Sequence, residues 1–323
     1  MTAHAMTSTP ERLDVWTGGE AMGLLLASGA RTLRRADGFV RGVAGSESNV
    51  AVGLARLGHR VAFGGRVGAD PVGGWVRDTL RAEGVGLDGL ITDPALPTGI
   101  LLRDSPLAGP VSVSYYRSCS AGAAVDADDV PVDTVSGARA VFLSGITLML
   151  SAGAARFTDR VLGVAADAGV PVFFDPNVRL RLAGRDNWRS AIGSCLDRVD
   201  TLLIGRDELD LLGLPGDPAK LLSARLKTVV VKCGADGATA ATADGTVHAP
   251  ASPAPLVDPV GAGDAFCAGW ISAWLRRKPL PDALREANAV AAFVVAAATD
   301  IAGLPTSEER DWAMRKDRTD VDR

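Results

Sequence analysis

Apolar positions along the chain fall into short blocks separated by segments of helical period. Val172–Asp175, Thr201–Ile204, Thr228–Lys232 and Ala140–Leu143 are short runs of largely apolar or β-branched residues. They are too short for helices and too continuous for strands with one wet face, so they predict buried strands. Asn49–Leu57, Trp75–Glu83 and Ala154–Ala168 instead repeat at helical spacing, and each is stopped by a glycine (Gly58, Gly84, Gly169). Val61–Phe63 reads as a further short strand. This alternation predicts an α/β fold: a doubly wound, mainly parallel sheet with helices on both faces.

Two stretches break the rhythm. Leu13–Val43 and Thr98–Ser118 carry alternating strands and Gly/Pro turns with no helical period between them. Antiparallel strands of that kind predict a small β-sheet lid, drawn from about 14–43 and 98–118, over the carboxyl ends of the parallel strands. Stretches 1–12 and 308–323 are polar; the second reads either as a loose tail or as a last docked helix.

Composition narrows the class without naming a chemistry. The 323 residues are 47% hydrophobic and 22% charged, with net charge −4 and no run of like charge, so no nucleic-acid or anionic-membrane partner is expected. The longest apolar run, Ala289–Ala298, falls well short of the roughly 20 residues that cross a bilayer. The first dozen residues lack the apolar core of a signal peptide. Cys119, Cys195, Cys233 and Cys267 are too scattered for a zinc site or a disulfide framework. A cytoplasmic protein with reduced thiols is expected.

One segment carries chemistry: Val257-Asp258-Pro259-Val260-Gly261-Ala262-Gly263-Asp264-Ala265-Phe266. Its glycines lead into a helix with Phe266, Trp270 and Trp274 at helical spacing. The free N–H groups and positive end of such a helix bind anions, and Gly261 and Gly263 let a phosphate approach the backbone. Asp264 reads either as a helix cap or as a base that the helix end keeps ionised. No G-x-x-x-x-G-K-[ST] occurs, and no G-x-G-x-x-G joins a strand to a helix near the N-terminus, which argues against an oxidoreductase.

DPVGAGDAF resembles the D-T-x-G-A-G-D signature of the ribokinase-like (PfkB) carbohydrate kinases. Gly45-Ser-Glu-Ser-Asn49, the following helix, and Gly64 to Gly73 resemble that family's N-terminal signature, in matching order and spacing. The resemblance spans roughly residues 14–310 and implies one ribokinase-like domain that uses ATP, Mg²⁺ and in some members a monovalent cation such as K⁺. It implies Asp264 as catalytic base, with the amides of Gly261, Ala262 and Gly263 as an anion hole. Gly45, Asn49, Tyr115, Arg117 and Arg179 would then meet the substrate. Lys232, Gly234, Gly237 and Asn288 would meet the nucleotide, and Glu208 would organise Mg²⁺. Gly205 stands where the family's N-x-x-E motif has asparagine. Each assignment has a plainer counterpart: a solvated helix-turn glutamate for Glu208, a hairpin at Asp236-Gly237, a backbone partner for Asn288, a solvated strand for Tyr115 and Arg117, and an ordinary loop arginine at Arg179.

Within the family the chain looks most like the 2-keto-3-deoxygluconate kinases, through Gly19-Glu20, Val111 to Gly122, Ser144 to Thr147 and Asp175 to Arg179. Strand alternation puts Val111, Val113, Tyr115 and Arg117 on one face, where a ring and a guanidinium can hold a sugar and clamp a carboxylate. Ala44, Ser46 and Leu101 depart from that subgroup, Leu101 replacing a frequent tyrosine. The resemblance implies phosphorylation of the terminal hydroxyl to a 6-phosphate. A neutral-sugar kinase or a non-catalytic sugar sensor are the alternatives, and pairing of lid sheets into a homo-oligomer is a further implication.

Overall fold

The computed structural model describes residues 12–105 and 111–315. From the N-terminus, β1 (Val15–Gly18) is followed by β2 (Met22–Ala27), β3 (Phe39–Ala44), α1 (Ser46–Arg56), β4 (Val61–Gly68), α2 (Pro71–Ala82) and β5 (Leu90–Asp93). Two short strands, β6 (Ile100–Arg103) and β7 (Val113–Tyr116), come next. The chain then alternates through α3 (Val132–Gly137), β8 (Ala140–Ser144), α4 (Gly145–Leu150), α5 (Ala152–Ala168), β9 (Val172–Asp175), α6 (Arg185–Leu196), β10 (Thr201–Gly205), α7 (Arg206–Leu212) and β11 (Thr228–Lys232). A hairpin, β12 (Ala238–Thr242) and β13 (Gly245–Ala249), precedes α8 (Ala262–Leu275), α9 (Leu280–Val295) and α10 (Ser307–Met314).

Nine strands form one sheet in the order β13-β12-β11-β10-β9-β8-β1-β4-β5, parallel except for the β11-β12-β13 edge. Period-two alternation divides its side chains between two cores. Phe173, Leu203 and Val230 face α1, α8 and α9, whereas Val172, Phe174, Leu202, Val229 and Val231 face α5, α6 and α7. Each fully buried Phe or Leu removed from water contributes on the order of 2 kcal/mol, so both faces need their helices. Local chemistry sets the helix ends. Asp70 Oδ1 accepts from the Gly73 amide at 2.7 Å ahead of Pro71, and Gly169 ends α5 in the left-handed region at φ 66°.

The second sheet has four strands in the order β3-β2-β6-β7, and Met22, Leu24, Ala44 and Leu101 on its own strands form a small apolar cluster. Two expectations are corrected here. Val15–Gly18, assigned to the lid by pattern, lies in the main sheet, because it pairs in parallel with both β4 and β8. The lid is also mixed, since β2 and β6 run parallel. Of the second polar stretch, residues 308–314 belong to α10 and bury Arg310; residues 1–11 and 316–323 lie outside the described residues.

From β1 the chain steps to β4 and β5 on one side, then returns to β8 on the other and continues outward to β11. The order of the sheet therefore reverses at β1, and ligands of such sheets bind beyond the carboxyl ends near that reversal. Glu20, Thr147, Asn177, Glu208 and Lys232 lie at or just beyond the carboxyl ends of β1, β8, β9, β10 and β11.

Candidate active site

The turn before α8 is shaped by its own side chains. Asp258 Oδ1 accepts from the Val260 amide at 2.9 Å, closing an Asx turn. Gly261 follows at φ 84° and heads the helix; a Cβ there would lie 3.0 Å from the Cα and carbonyl oxygen of Asp300. Only glycine suits both conditions. The first-turn amides of α8 have no partners within the helix, although that of Ala262 donates to the Pro259 carbonyl at 3.3 Å, and they carry the helix's positive end, which makes the turn a phosphate cradle.

Asp264 lies in the first turn of α8 but does not cap it; Gly261 holds that position without a side-chain bond. Its Oδ1 accepts from Ser46 Oγ at 2.7 Å and from Asn177 Nδ2 at 3.4 Å, and its Oδ2 from Asn49 Nδ2 at 2.8 Å. Asn177 also donates to Ser46 Oγ at 2.9 Å. Burial pushes the Asp264 pKa up to about 6 against the pull of the Asn49 and Ser46 bonds, and nearby Asp175 adds to the rise. The carboxylate remains mostly ionised at neutral pH and is basic enough to take a hydroxyl proton.

Two cavities meet at this turn. Gly261 and Asp264 line the inner one, together with Gly45, Asn49, Tyr115, Arg117 and Arg179. Ala262 and Gly263 line the outer one, together with Lys232, Gly234, Gly237 and Asn288. The inner cavity encloses about 100 Å³ and the outer about 610 Å³, so the outer one has the room for a nucleotide. The residues singled out in the sequence thus gather at one locus and divide between two compartments, with Glu208 beside them.

In the inner cavity Arg117 pairs with Glu20 and stacks its guanidinium 5.1 Å from the centre of the Tyr115 ring. Burial raises the Glu20 pKa, opposed by Arg117 and by Ser120, whose Oγ donates to Glu20 Oε1 at 3.3 Å. Tyr115 and Arg117 are therefore not a plain solvated strand. Arg179 donates to the Val178 carbonyl at 3.1 Å, and its charge favours the ionised Asp264 without a direct ion pair among the described residues. Leu101 lines the same cavity.

In the outer cavity Lys232 Nζ lies 2.5 Å from Asp175 Oδ2 and 3.6 Å from where a Gly263 Cβ would stand. Burial opposes the ammonium, but Asp175, with Cys267 and Glu208, outweighs it and raises the Lys232 pKa. The Lys232–Gly237 segment is indeed a hairpin turn, and it faces the cavity as well. Gly237, at φ 89°, passes so close to Ala249 that a Cβ would meet its carbonyl oxygen at 2.1 Å. Asn288 lines the cavity but donates its amide to the carbonyls of Ala249 and Pro250, at 3.2 and 3.0 Å.

Glu208 is half-buried and held by backbone amides rather than by a metal cage. Its Oε2 accepts from the Gly205 amide at 2.8 Å and its Oε1 from the Val178 amide at 2.5 Å. Among the described residues, no group of three His, Cys, Asp or Glu could enclose a metal. Mg²⁺ prefers water and phosphate oxygens with few carboxylates, and one half-buried glutamate whose charge acts on Lys232 suits that donor set.

Five residues at this locus were not assigned roles from sequence. Ser46, Glu20, Asn177 and Asp175 stand inside the quoted passages, so position in a motif was the available signal. Arg103, on a lid strand, had none.

A phosphate cradle at a helix start, next to a buried carboxylate and between two cavities, defines a phosphotransferase that acts on a hydroxyl. A pfkB family carbohydrate kinase pattern matches residues 19–307, and the chain belongs to that family. It is 34% identical over 316 residues to 2-dehydro-3-deoxygluconokinase of Bacillus subtilis, covering 95% of this chain and 97% of that relative. It is 33% identical over 282 residues to a fructokinase of Klebsiella pneumoniae, covering 84% and 87%. Its fold superposes with a TM-score of 0.87 on the crystal structure of 2-dehydro-3-deoxygluconokinase from Thermotoga maritima, at 24% identity, over 94% of this chain and 98% of that one. Identity to these two relatives is similar, at 34% and 33%, although the first match covers more of the chain, and the substrate is argued from the inner cavity.

Proposed function

We propose that the acceptor is a keto-deoxy sugar acid, 2-keto-3-deoxygluconate, phosphorylated by ATP on its terminal hydroxyl to the 6-phosphate. The observation that carries this reading is Arg117, stacked on Tyr115 inside the inner cavity, with Arg179 lining the same space. A carboxylate needs such cations and a neutral sugar does not.

Residues 14–310 act in this reading as one domain, with the sugar acid in the inner cavity and ATP in the outer. The terminal hydroxyl gives its proton to Asp264 as its oxygen bonds to the γ-phosphorus and the bond to the β,γ-bridging oxygen breaks, releasing ADP. The amides of Gly261 to Gly263 and Lys232 balance charge on the transferring group. Glu208 would hold the waters of a nucleotide-bound Mg²⁺, which would supply further neutralisation there. Ser46, Asn49 and Asn177 hold the Asp264 carboxylate; the lid excludes water.

Leu101 favours a second reading, a neutral-sugar kinase, because it puts an apolar side chain where a carboxylate-binding tyrosine often stands. ADP release from Mg·ATP with 2-keto-3-deoxygluconate, gluconate, fructose, ribose and adenosine separates the two. Turnover confined to the keto acid supports the first reading, whereas turnover of fructose or ribose replaces it. The same assay with and without K⁺ tests the monovalent cation. We also propose a cytosolic homo-oligomer joined through lid sheets, which sedimentation of the purified protein would check; β3 is an edge strand with Phe39 and Val40 exposed.

A further inference from the structure

Arg103 is the innermost residue of lid strand β6, and its guanidinium is almost wholly shielded, at 1% exposed. Its Nη1 lies 2.7 Å from Asp300 Oδ1, and its Nη2 lies 3.0 Å from Asp258 Oδ2 and 2.9 Å from the Ala298 carbonyl oxygen. Both acids belong to the phosphate cradle. Asp258 uses its other oxygen to fold the turn through Val260, and the Asp300 backbone closes the space behind Gly261. On the lid side, Arg103 sits opposite Val113 of β7, two residues before Tyr115.

A single guanidinium thus joins the lid to the cradle. Without it, two acids would face each other, Asp300 at 6% exposed, beside a site built for phosphate. Their repulsion would act on the residues that shape the turn. We propose that Arg103 is a positioning residue for phosphoryl transfer: it latches the lid to Asp258 and Asp300, so the cradle takes its working shape when the lid is down. The latch rests on the assignment of the Gly261–Asp264 turn as the transfer centre, but not on the identity of the sugar.

The test compares Arg103→Met, Arg103→Lys, Asp258→Asn and the double variant Arg103→Met/Asp258→Asn, with kcat referred to titrated active sites. Arg103→Met should lower kcat about 100-fold, the cost of an ångström-scale misplacement, with KM for ATP within about threefold of wild type. Asp258→Asn keeps an acceptor for the Val260 amide but loses the ion pair, and should show a similar loss. The double variant should be no slower than the slower single, and Arg103→Lys should recover about tenfold over Arg103→Met. A merely structural arginine would lower the melting temperature and the titratable fraction while leaving kcat per site alone. Folded Arg103→Met with kcat within about threefold of wild type, or additive losses in the double variant, would overturn the latch. Should Arg103→Met not fold, an unchanged kcat in Asp258→Asn overturns it equally. Absence of turnover by the wild type with every acceptor would remove the transfer centre itself, and the latch with it.

Discussion

Asp264 Oδ2 accepts the Asn49 Nδ2 at 2.8 Å, a bond between residues 215 positions apart. It joins the first turn of α1 to the first turn of α8. Both helix starts therefore converge on one carboxylate, which is held at each oxygen before any ligand arrives. Preorganisation of that kind matters for phosphoryl transfer, where the protein contributes position and charge rather than covalent chemistry.

Asp264→Asn keeps the shape of the side chain and removes its basicity. We expect kcat to fall by about 10²–10⁴, the usual range for a positioned general base, with ATP affinity within a few-fold of wild type. ADP release and calorimetric titration of ATP measure the two quantities. Turnover within tenfold of wild type would deny Asp264 the role.

Because burial raises the Asp264 pKa to about 6, kcat/KM for the acceptor should fall tenfold per pH unit below about pH 6. The hydrogen bond from Asn49 opposes that rise, so Asn49→Ala should move the acid limb to higher pH. An acid limb that stays in place in Asn49→Ala would show that another group sets it.

The cradle was legible in the sequence because it is local: Gly261, Gly263 and Asp264 are neighbours, and the matching N-terminal signature at Gly45–Asn49 and Gly64–Gly73 separates a site from a plain helix cap. The start of α1 was hidden by its own function. Ser46, Glu47, Ser48 and Asn49 are polar yet buried, because Ser46, Glu47 and Asn49 line the inner cavity and Ser48 bonds back to the Gly45 carbonyl, and so they break the apolar period. Strand β4 extends past Phe63 because Gly64 and Gly65 admit neighbouring backbone; a Cβ on Gly65 would meet the Gly19 carbonyl oxygen at 2.3 Å. Val15–Gly18 looked like lid because only its partners, β4 and β8, make it central. The Lys232–Asp175 and Arg103–Asp258 pairs join distant segments, which one chain's pattern does not encode.

Glu47 should leave a mark on stability. It is 1% exposed, accepts Thr147 Oγ1 at 2.5 Å, and burial, opposed by that bond, raises its pKa from 4.5 to about 8. A raised folded pKa means that its stabilising protonation is fully present below about pH 4.5. It is lost progressively, at up to about 1.4 kcal/mol per pH unit, as pH climbs through about 8. Glu47→Gln removes that slope. In urea melts, the stability of the variant minus that of wild type should grow from pH 5 to 8 and level off above. A difference constant over the range would refute the assignment.

The Glu20–Arg117 pair separates stability from specificity. Glu20 is 2% exposed, so Arg117→Leu would leave a buried carboxylate without its cation, a change that typically costs about 3–5 kcal/mol. Glu20→Gln/Arg117→Leu removes both charges and should recover much of the melting temperature lost by the single variant. It should not recover the substrate. If Arg117 clamps the carboxylate of the acceptor, a lost charge-assisted bond of about 1.5–3 kcal/mol raises KM for 2-keto-3-deoxygluconate about 10- to 150-fold in both variants. KM for fructose should change little in the double variant. Equal changes for acid and neutral acceptors would make Arg117 a structural partner of Glu20 and transfer the selection of acids to Arg179.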